Sequence, residues 1–96
     1  MKMQTIVGTV CQEFGVSRRS LYGVTRKSEI VEARQVAFYL LRQMLRASYR
    51  VIGAEMVRDH TTVGFGYRQV ARRLRHDAVL KQRIAKIKQR LLRKHR

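Results

Sequence analysis

Apolar side chains recur along this chain at intervals of three and four residues, the spacing that places them on one face of an α-helix. No segment alternates apolar and polar residues over the length of a half-buried strand, and no proline interrupts the pattern. The pattern therefore predicts an all-α protein, built as a compact bundle of about six helices.

The first predicted helix carries its apolar residues on one stripe and ends at Gly15, which suits a left-handed C-cap. That stripe consists of Ile6, Val7, Val10 and Phe14. Ser17 is positioned to cap a short second helix that runs to Tyr22, with Leu21 facing inward. Residues 23–27 then have the composition of a basic loop.

The third predicted helix runs from Glu29 to about Arg46, with Ser28 as its N-cap. Its apolar residues cover most of the circumference and are Ile30, Val31, Ala33, Ala37, Phe38, Leu40, Leu41, Met44 and Leu45. A helix that is apolar on most sides must be surrounded by other elements. We therefore expect this helix to form the centre of the bundle.

Two further helices are joined by a tight turn at residues 57–58. Ser48 opens the first of them, which runs through Met56, and Asp59 caps the second, which runs to about Arg75. The inner stripe of the second helix is formed by Val63, Tyr67, Val70 and Leu74. Two helices connected in this way are a candidate helix-turn-helix.

A last helix, capped by Asp77, has an apolar stripe formed by Leu80, Ile84, Ile87 and Leu91. It contains no acid after its cap, and its basic residues are Lys81, Arg83, Lys86, Lys88, Arg90, Arg93, Lys94 and Arg96. Such a run is expected to attract phosphate. The stripe is expected to pack on the bundle of a monomer, because a homodimeric coiled coil would bring basic flanks together. Residues 1–76 are thus predicted as the helix-turn-helix domain and 77–96 as a basic helix packed on it.

The charge of the chain points to a polyanionic partner. Its 22 lysines and arginines against six acids give a net charge of +16, which attracts nucleic acid or anionic lipid. The single Cys11 is expected to be buried and allows no disulfide or zinc site. The N-terminus lacks the apolar core of a signal peptide, and the apolar run 36–41 is too short to span a bilayer. We therefore expect a cytoplasmic, nucleoid-associated protein.

Residues 58–63, Arg-Asp-His-Thr-Thr-Val, begin the second helix of the candidate motif. In a helix-turn-helix, the N-terminal residues of that helix touch base edges in the major groove. A threonine methyl packs on a thymine methyl, hydroxyls and imidazole nitrogens bond bases or phosphates, and an aspartate accepts from cytosine N4. The candidate base-contacting residues are therefore Asp59, His60, Thr61 and Thr62.

His60 is also the natural candidate for a general base or a metal ligand. Its only carboxylate neighbour is Asp59, and residues one apart on a helix do not face each other. No nucleophile or set of metal ligands accompanies the pair. We therefore expect neither an enzyme nor a bound metal or cofactor.

Three segments occur in the order and near the spacing of a known family: Ala33-Arg34-Gln35-Val36-Ala37-Phe38-Tyr39-Leu40, Ile52-Gly53 and Arg58-Asp59-His60-Thr61-Thr62-Val63. Together they resemble the C-terminal DNA-binding domain of the bacterial replication initiator DnaA, from about Ile6 to about Leu74. The resemblance implies a helical bundle with a Trp-repressor-like helix-turn-helix. It also implies double-stranded DNA as the partner, at the short, asymmetric, A/T-rich site called the DnaA box.

The resemblance implies roles for particular residues. Arg26, in the basic loop, matches the arginine that enters the minor groove, which is narrow and strongly negative in A/T-rich DNA. The four residues 59–62 match the positions at the major-groove edge. Contacts with the DNA backbone are assigned to Lys27, Arg34, Gln35, Ser48, Arg50 and Arg58.

The chain also departs from the family pattern. The family usually has two glycines before the Arg-Asp-His-Thr-Thr string, whereas here Met56 and Val57 lead into Arg58 and the turn is one residue shorter. Neither Met56 nor Val57 suits a left-handed backbone conformation. Tyr49 and Arg50 stand where Leu-Pro is frequent, which adds bulk and charge near the DNA. A phosphate-binding Gly-x-x-x-x-Gly-Lys-Ser/Thr loop is missing, so the chain is expected to read DNA without an ATP-driven motor.

The second helix of the candidate motif, called the reading helix below, contains two glycines and two aromatic residues that need an explanation. Gly66 stands where the family prefers a small residue and is expected to allow close helix packing, whereas Gly64 has no such explanation. Phe65 and Tyr67 are expected to be core residues, because an intact duplex offers no free base for stacking.

The residues leave three functions open. The first is sequence-specific binding to DnaA-box-like sites in replication control or transcription, with the initiation machinery as a candidate protein partner. The second is a nonspecific architectural protein in which charge dominates. The third is a membrane- or protein-docking module that uses the basic last helix. The first is favoured, a membrane partner is not expected, and none of the three needs a small-molecule substrate.

Overall fold

Six helices account for most of residues 1–94, the part of the chain that the computed structural model describes. They are α1 (Met3–Phe14), α2 (Arg18–Tyr22), α3 (Ser28–Leu45), α4 (Tyr49–Met56), α5 (His60–Arg73) and α6 (Ala78–Lys94). The predicted all-α fold is confirmed, and the described residues include no strand. Arg96, which was assigned to the basic last helix, lies outside the described residues.

Helix α3 is the centre of the bundle, as predicted from its apolar circumference. It packs most extensively against α5 and α1, while α6 lies along α1 and α4 packs against α5. Gly66 permits the close approach of α5 to α3, since a Cβ at this position would lie 2.7 Å from the ring of Phe38. The expected role of Gly66 in close packing is therefore confirmed.

Most of the predicted helix caps are present. Ser17 and Ser48 accept hydrogen bonds from backbone amides of the first turns of α2 and α4, and Asp77 does so for α6. Gly15 ends α1 in the left-handed conformation, with φ 64°.

The prediction that Ser28 caps α3 is wrong. The helix begins at Ser28, and Lys27 occupies the N-cap position without a side-chain hydrogen bond. The reason lies in the backbone, because the carbonyl of Lys27 already accepts from the amides of Ile30 and Val31, at 3.0 and 2.9 Å. The helical register therefore starts one residue earlier than the serine suggested.

Helix α6 lies on the bundle through its apolar stripe. The four stripe residues, Leu80, Ile84, Ile87 and Leu91, are buried in the same core as α1. Its basic flank also engages α1, because Lys86 and Arg90 lie 3.7 and 3.6 Å from the carboxylate of Glu13. Lys94 donates a 2.9 Å hydrogen bond to the buried Thr9. The stripe is therefore occupied within the chain and is not free for a coiled coil.

None of the helices in residues 1–94 combines the length and the apolar character needed to cross a membrane.

Candidate nucleic-acid interface

The turn between α4 and α5 depends on a glycine. The amide of Arg58 donates a 2.9 Å hydrogen bond to the carbonyl of Gly53, which folds the chain back on the end of α4. A Cβ at Gly53 would collide with the carbonyl oxygen of Arg58 and lie 3.6 Å from the amide nitrogen of His60. Gly53 therefore allows the backbone of the turn and of the start of α5 to pack directly against α4.

Val57 occupies the left-handed region of the turn, with φ 56° and ψ 52°. It does so although its β-branched side chain does not suit this conformation, which normally falls to glycine. Its side chain is 73% exposed, so burial contributes little to hold the residue there. The turn thus keeps the geometry that a glycine would adopt, at the expense of local backbone strain.

Replacing this residue by glycine is expected to stabilise the fold. Val57→Gly should raise the free energy of unfolding by about 0.5–1 kcal/mol, because relief of left-handed strain exceeds the added chain entropy. Thermal unfolding followed by circular dichroism measures the effect. Val51→Gly is the matched control, since Val51 is also an exposed valine but lies within α4, and this variant should lose about 0.5 kcal/mol. A Val57→Gly protein that is less stable than the parent would show that the valine is not strained.

The carboxylate of Asp59 organises the first turn of α5. Its Oδ1 atom accepts from the backbone amide of Thr61 at 2.8 Å and from the Thr61 hydroxyl at 2.6 Å. These hydrogen bonds hold the pKa of the Asp59 carboxyl below its usual value. The stabilisation they provide is therefore present above the unfolded-state pKa and is lost only as the pH falls through the lower folded-state pKa.

His60 approaches Asp59 more closely than its place in the sequence suggested. Its Nδ1 atom lies 3.6 Å from Oδ1 of Asp59. The expectation that these neighbours do not face each other is wrong, because Asp59 precedes the helix in an extended conformation and its side chain folds over the first turn. The side chain of His60 remains 41% exposed.

The four predicted base-contacting residues form one exposed tip. Thr61 and Thr62 are exposed on α5 beside the exposed carboxylate of Asp59, and His60 is half-exposed next to them. The tip consequently presents hydroxyl, imidazole and carboxylate groups within one helical turn.

Arg34 lies beneath the basic loop instead of on the surface. Only 8% of the residue is exposed, and its Nε atom donates a 2.8 Å hydrogen bond to the carbonyl of Leu21. Its Nη2 atom donates at 3.2–3.3 Å to the carbonyls of Ser20, Gly23 and Thr25. The sequence assigned Arg34 to the DNA backbone, whereas the structure uses these donors to shape the loop that carries Arg26.

Arg58 joins the same loop to the turn of the helix-turn-helix. Its guanidinium donates to the carbonyls of Tyr22, Gly23, Met56 and Val57. Burial, and secondly the charge of this neighbouring guanidinium, lower the pKa of Arg34. Two arginines thus converge on one carbonyl, that of Gly23, and tie the basic loop to the start of α5.

A depression of about 430 Å³ lies between the basic loop and the tip of α5. Its lining residues are Val24, Thr25, Arg26, Arg34, Val57, Arg58 and Thr62. Arg26 and Lys27 are exposed on the loop side. The predicted minor-groove arginine and the predicted base-contacting tip therefore stand on two sides of one positively charged depression.

The remaining predicted contact residues occupy two places. Ser48 and Arg50 are exposed at the start of α4, and Arg50 is close enough to Asp59 to contribute to its lowered pKa. Gln35 is half-buried under α5, where its Cγ atom would lie 3.1 Å from a Cβ at Gly66. The α4 residues thus flank the tip, and Gln35 does not.

Tyr49 accounts for the glycine that the sequence left unexplained. A Cβ at Gly64 would lie 3.1 Å from the ring of Tyr49, which packs across α5 at this point. Arg42 covers the same ring, with its guanidinium carbon 4.9 Å from the ring centroid. The sequence signal for this contact between Tyr49 and Gly64 was a glycine in the reading helix together with a bulky aromatic residue in the helix before it.

The two aromatic residues of α5 were expected in the core, and the structure corrects this. Phe65 is 52% exposed, because the buried positions of α5 are Val63, Gly64, Gly66 and Val70. Tyr67 is half-buried, stacked on Tyr39 with 5.2 Å between ring centroids. The apolar stripe of α5 is therefore narrower than its sequence suggested, and a phenylalanine faces solvent.

Two short helices joined by a tight turn, an exposed polar tip on the second helix and a basic loop tied to that turn define a helix-turn-helix DNA-binding domain. The family model described as the bacterial dnaA protein helix-turn-helix matches residues 3–70. The chain belongs to this family.

Several chromosomal replication initiator proteins are similar to this chain. The identity is 42% over 89 residues with the DnaA protein of Thermomicrobium roseum, covering 92% of this chain and 19% of that protein. It is 40% over 90 residues with that of Roseiflexus castenholzii, covering 93% and 19%. It is 44% over 77 residues with that of Oenococcus oeni, covering 79% and 17%. The chain spans about a fifth of the length of these relatives.

Proposed function

We propose that this chain binds double-stranded DNA sequence-specifically at short, A/T-rich sites of the DnaA-box type. The observation that carries the proposal is the pair of arginines, Arg34 and Arg58, that converge on the carbonyl of Gly23. They hold the loop with Arg26 and the tip of α5 at a fixed position relative to each other. A protein that contacts the minor and the major groove at the same time needs this fixed position, because the distance between the grooves is set by the DNA.

The depression between loop and tip fits the DNA strand that separates the two grooves. In a duplex, one phosphate backbone runs between a minor groove and the adjacent major groove. With α5 in the major groove and Arg26 in the minor groove, that strand passes over the depression lined by Arg58. Phosphate contacts there set the register, and the tip reads the bases.

The hydrogen bonds of the tip restrict what each residue can read. The hydroxyl hydrogen of Thr61 is donated to Asp59, which leaves its oxygen as an acceptor. An acceptor in the major groove pairs with N6 of adenine or N4 of cytosine, and the threonine methyl packs on a thymine methyl. Thr61 is therefore suited to an adenine or cytosine beside a thymine.

Helix α6 adds electrostatic attraction to DNA that does not depend on the base sequence. Part of its charge is neutralised, since Lys86 and Arg90 face Glu13 and Arg83 faces Glu32. Lys81 and Arg93 are exposed and form no ion pair within residues 1–94.

The proposed function is carried out by a monomer bound at sites of the DnaA-box type, either in replication control or in transcription.

Titration of a DnaA-box duplex and a scrambled duplex across a salt series tests the proposal. Sequence-specific binding predicts an affinity ratio of about 10³ or more near physiological salt. Equal affinities that fall steeply with salt would instead indicate a nonspecific architectural protein, and the proposal would be wrong.

His60→Ala is expected to reduce the affinity for the box duplex about 10- to 100-fold, with a smaller effect on the scrambled duplex, because a base contact carries specificity. Fluorescence anisotropy with both duplexes measures the two losses. Lys81→Gln is the matched control on α6 and should weaken both duplexes about equally. Unchanged discrimination by His60→Ala would remove His60 from the readout.

A further inference from the structure

Phe65 lies on the outer face of the reading helix and not in the core. It is 52% exposed, while its neighbours Gly64 and Gly66 are buried against α4 and α3. Thr61 and Thr62, four and three residues earlier, project from the same face of α5. Arg68, three residues later, continues this exposed face. The ring therefore stands in one line with the tip, about one turn further along the helix.

The position of the ring along α5 limits which base pairs it can reach. A helix rises about 1.5 Å per residue, so Phe65 lies about 6 Å beyond Thr61. Successive base pairs are about 3.4 Å apart, so a helix that lies in the groove places the ring at most about two base pairs from the bases at Thr61. The basic residues that follow on the exposed face, Arg68 and Arg72, are suited to the phosphates beside the groove.

The major groove offers one apolar group to such a ring. Hydrogen-bond donors and acceptors line the base edges, and the C5-methyl of thymine is the exception. We propose that Phe65 is a specificity-determining residue that packs on the C5-methyl of a thymine within about two base pairs of the bases at Thr61. This inference rests on the proposed sequence-specific binding and adds a position to the sequence that is read.

Other uses of the ring fit the structure less well. It takes no part in the core cluster, so it does not hold the fold together. A contact between two copies of the chain through this face would bring Arg68 and Arg72 of both copies together, and like charges oppose that. An A/T-rich duplex has the complementary charge and the complementary methyl groups.

The experiment removes one methyl group at a time. In a box duplex, each thymine is replaced singly by deoxyuridine, which lacks only the C5-methyl, and binding of the parent protein and of Phe65→Ala is measured. At one position, deoxyuridine should weaken the parent about three- to fivefold, the fold-change for losing one buried methyl. The same replacement should leave binding by Phe65→Ala unchanged.

Two further variants make the result specific to the ring. Phe65→Leu keeps an apolar side chain and should retain sensitivity to the missing methyl. Val79→Ala removes an exposed apolar side chain on α6, 70% exposed, and should keep the full deoxyuridine effect. Thermal unfolding should show the same stability for Phe65→Ala as for the parent, because the ring is outside the core.

The outcomes separate this inference from the proposed function. If the parent prefers the box duplex but every deoxyuridine effect persists in Phe65→Ala, the inference is wrong and the proposed function stands. If the parent does not prefer the box duplex at all, both are wrong. Self-association of the parent that disappears in Phe65→Ala without any deoxyuridine effect would make the ring a protein contact and overturn the inference.

Discussion

Gly53→Ala is expected to lower the free energy of unfolding by about 1–3 kcal/mol and to weaken binding to a box duplex in the protein that remains folded. The added methyl would collide with the carbonyl oxygen of Arg58. That oxygen belongs to the backbone of the turn, so it moves only if α5 shifts relative to α4. Such a shift also displaces Arg58, which ties the turn to the loop with Arg26, so the tip and the loop no longer keep the relative position that binding needs.

Gly8→Ala is the matched control for this prediction. Gly8 also lies inside a helix, but a Cβ there meets only the guanidinium of Arg18, the far end of a flexible side chain. Alanine has the higher helix propensity, so this variant should gain up to about 1 kcal/mol. Chemical denaturation gives both stabilities, and anisotropy at temperatures where both variants are folded gives both affinities. A Gly53→Ala protein with parental stability would contradict the close approach described for the turn.

Arg34→Met is expected to lower the free energy of unfolding by about 2–3 kcal/mol, because carbonyls that are shielded from water lose their donor. The loop with Arg26 should loosen, and the affinity for a box duplex should fall. Arg34→Lys should not restore either property, since a single ammonium group cannot serve the carbonyls that the planar guanidinium reaches. Limited trypsin digestion after Arg26 and Lys27 reports the loosening, and it should be faster in both variants.

The salt dependence of binding separates two roles for Arg34. Loss of a direct phosphate contact would reduce the slope of log affinity against log salt by about one. Loss of a residue that shapes the loop should reduce affinity for the box duplex while that slope stays nearly constant. Arg75→Met, at an exposed arginine of the turn before α6, is the control and should leave the digestion rate unchanged. A reduced slope with an unchanged digestion rate would assign Arg34 to the DNA backbone after all.

The helices were predictable because their signals are local. The caps at Ser17, Ser48, Asp59 and Asp77 depend on side chains within three residues of the amides they bind. The apolar stripe of α6 repeats at the helical period and is buried as the period requires. The prediction for Ser28 was wrong because a helix can begin without a side-chain cap. The carbonyl of Lys27 accepts the first backbone hydrogen bonds, so the helix begins one residue earlier.

The candidate site was predictable in part. The string at residues 58–63 marked a capped helix after a tight turn, and the structure exposes this tip as a unit. Arg34 was assigned to the DNA backbone because the resemblance matches it to a backbone-contacting position at the start of the central helix. Its partners are carbonyls of α2 and of the loop that follows α2, and only the folded chain brings them under its guanidinium.

The sequence by itself determined the number of helices, their caps and the composition of the tip, because these depend on neighbours within one or two turns. Only the tertiary structure decided how the loop and the tip are joined and that Phe65 faces outward. Both depend on which groups meet across the bundle: two arginines from α3 and the turn at the carbonyl of Gly23, and the ring of Tyr49 over Gly64. Contacts between residues so far apart in the chain have no period and no local signal, so packing alone specifies them.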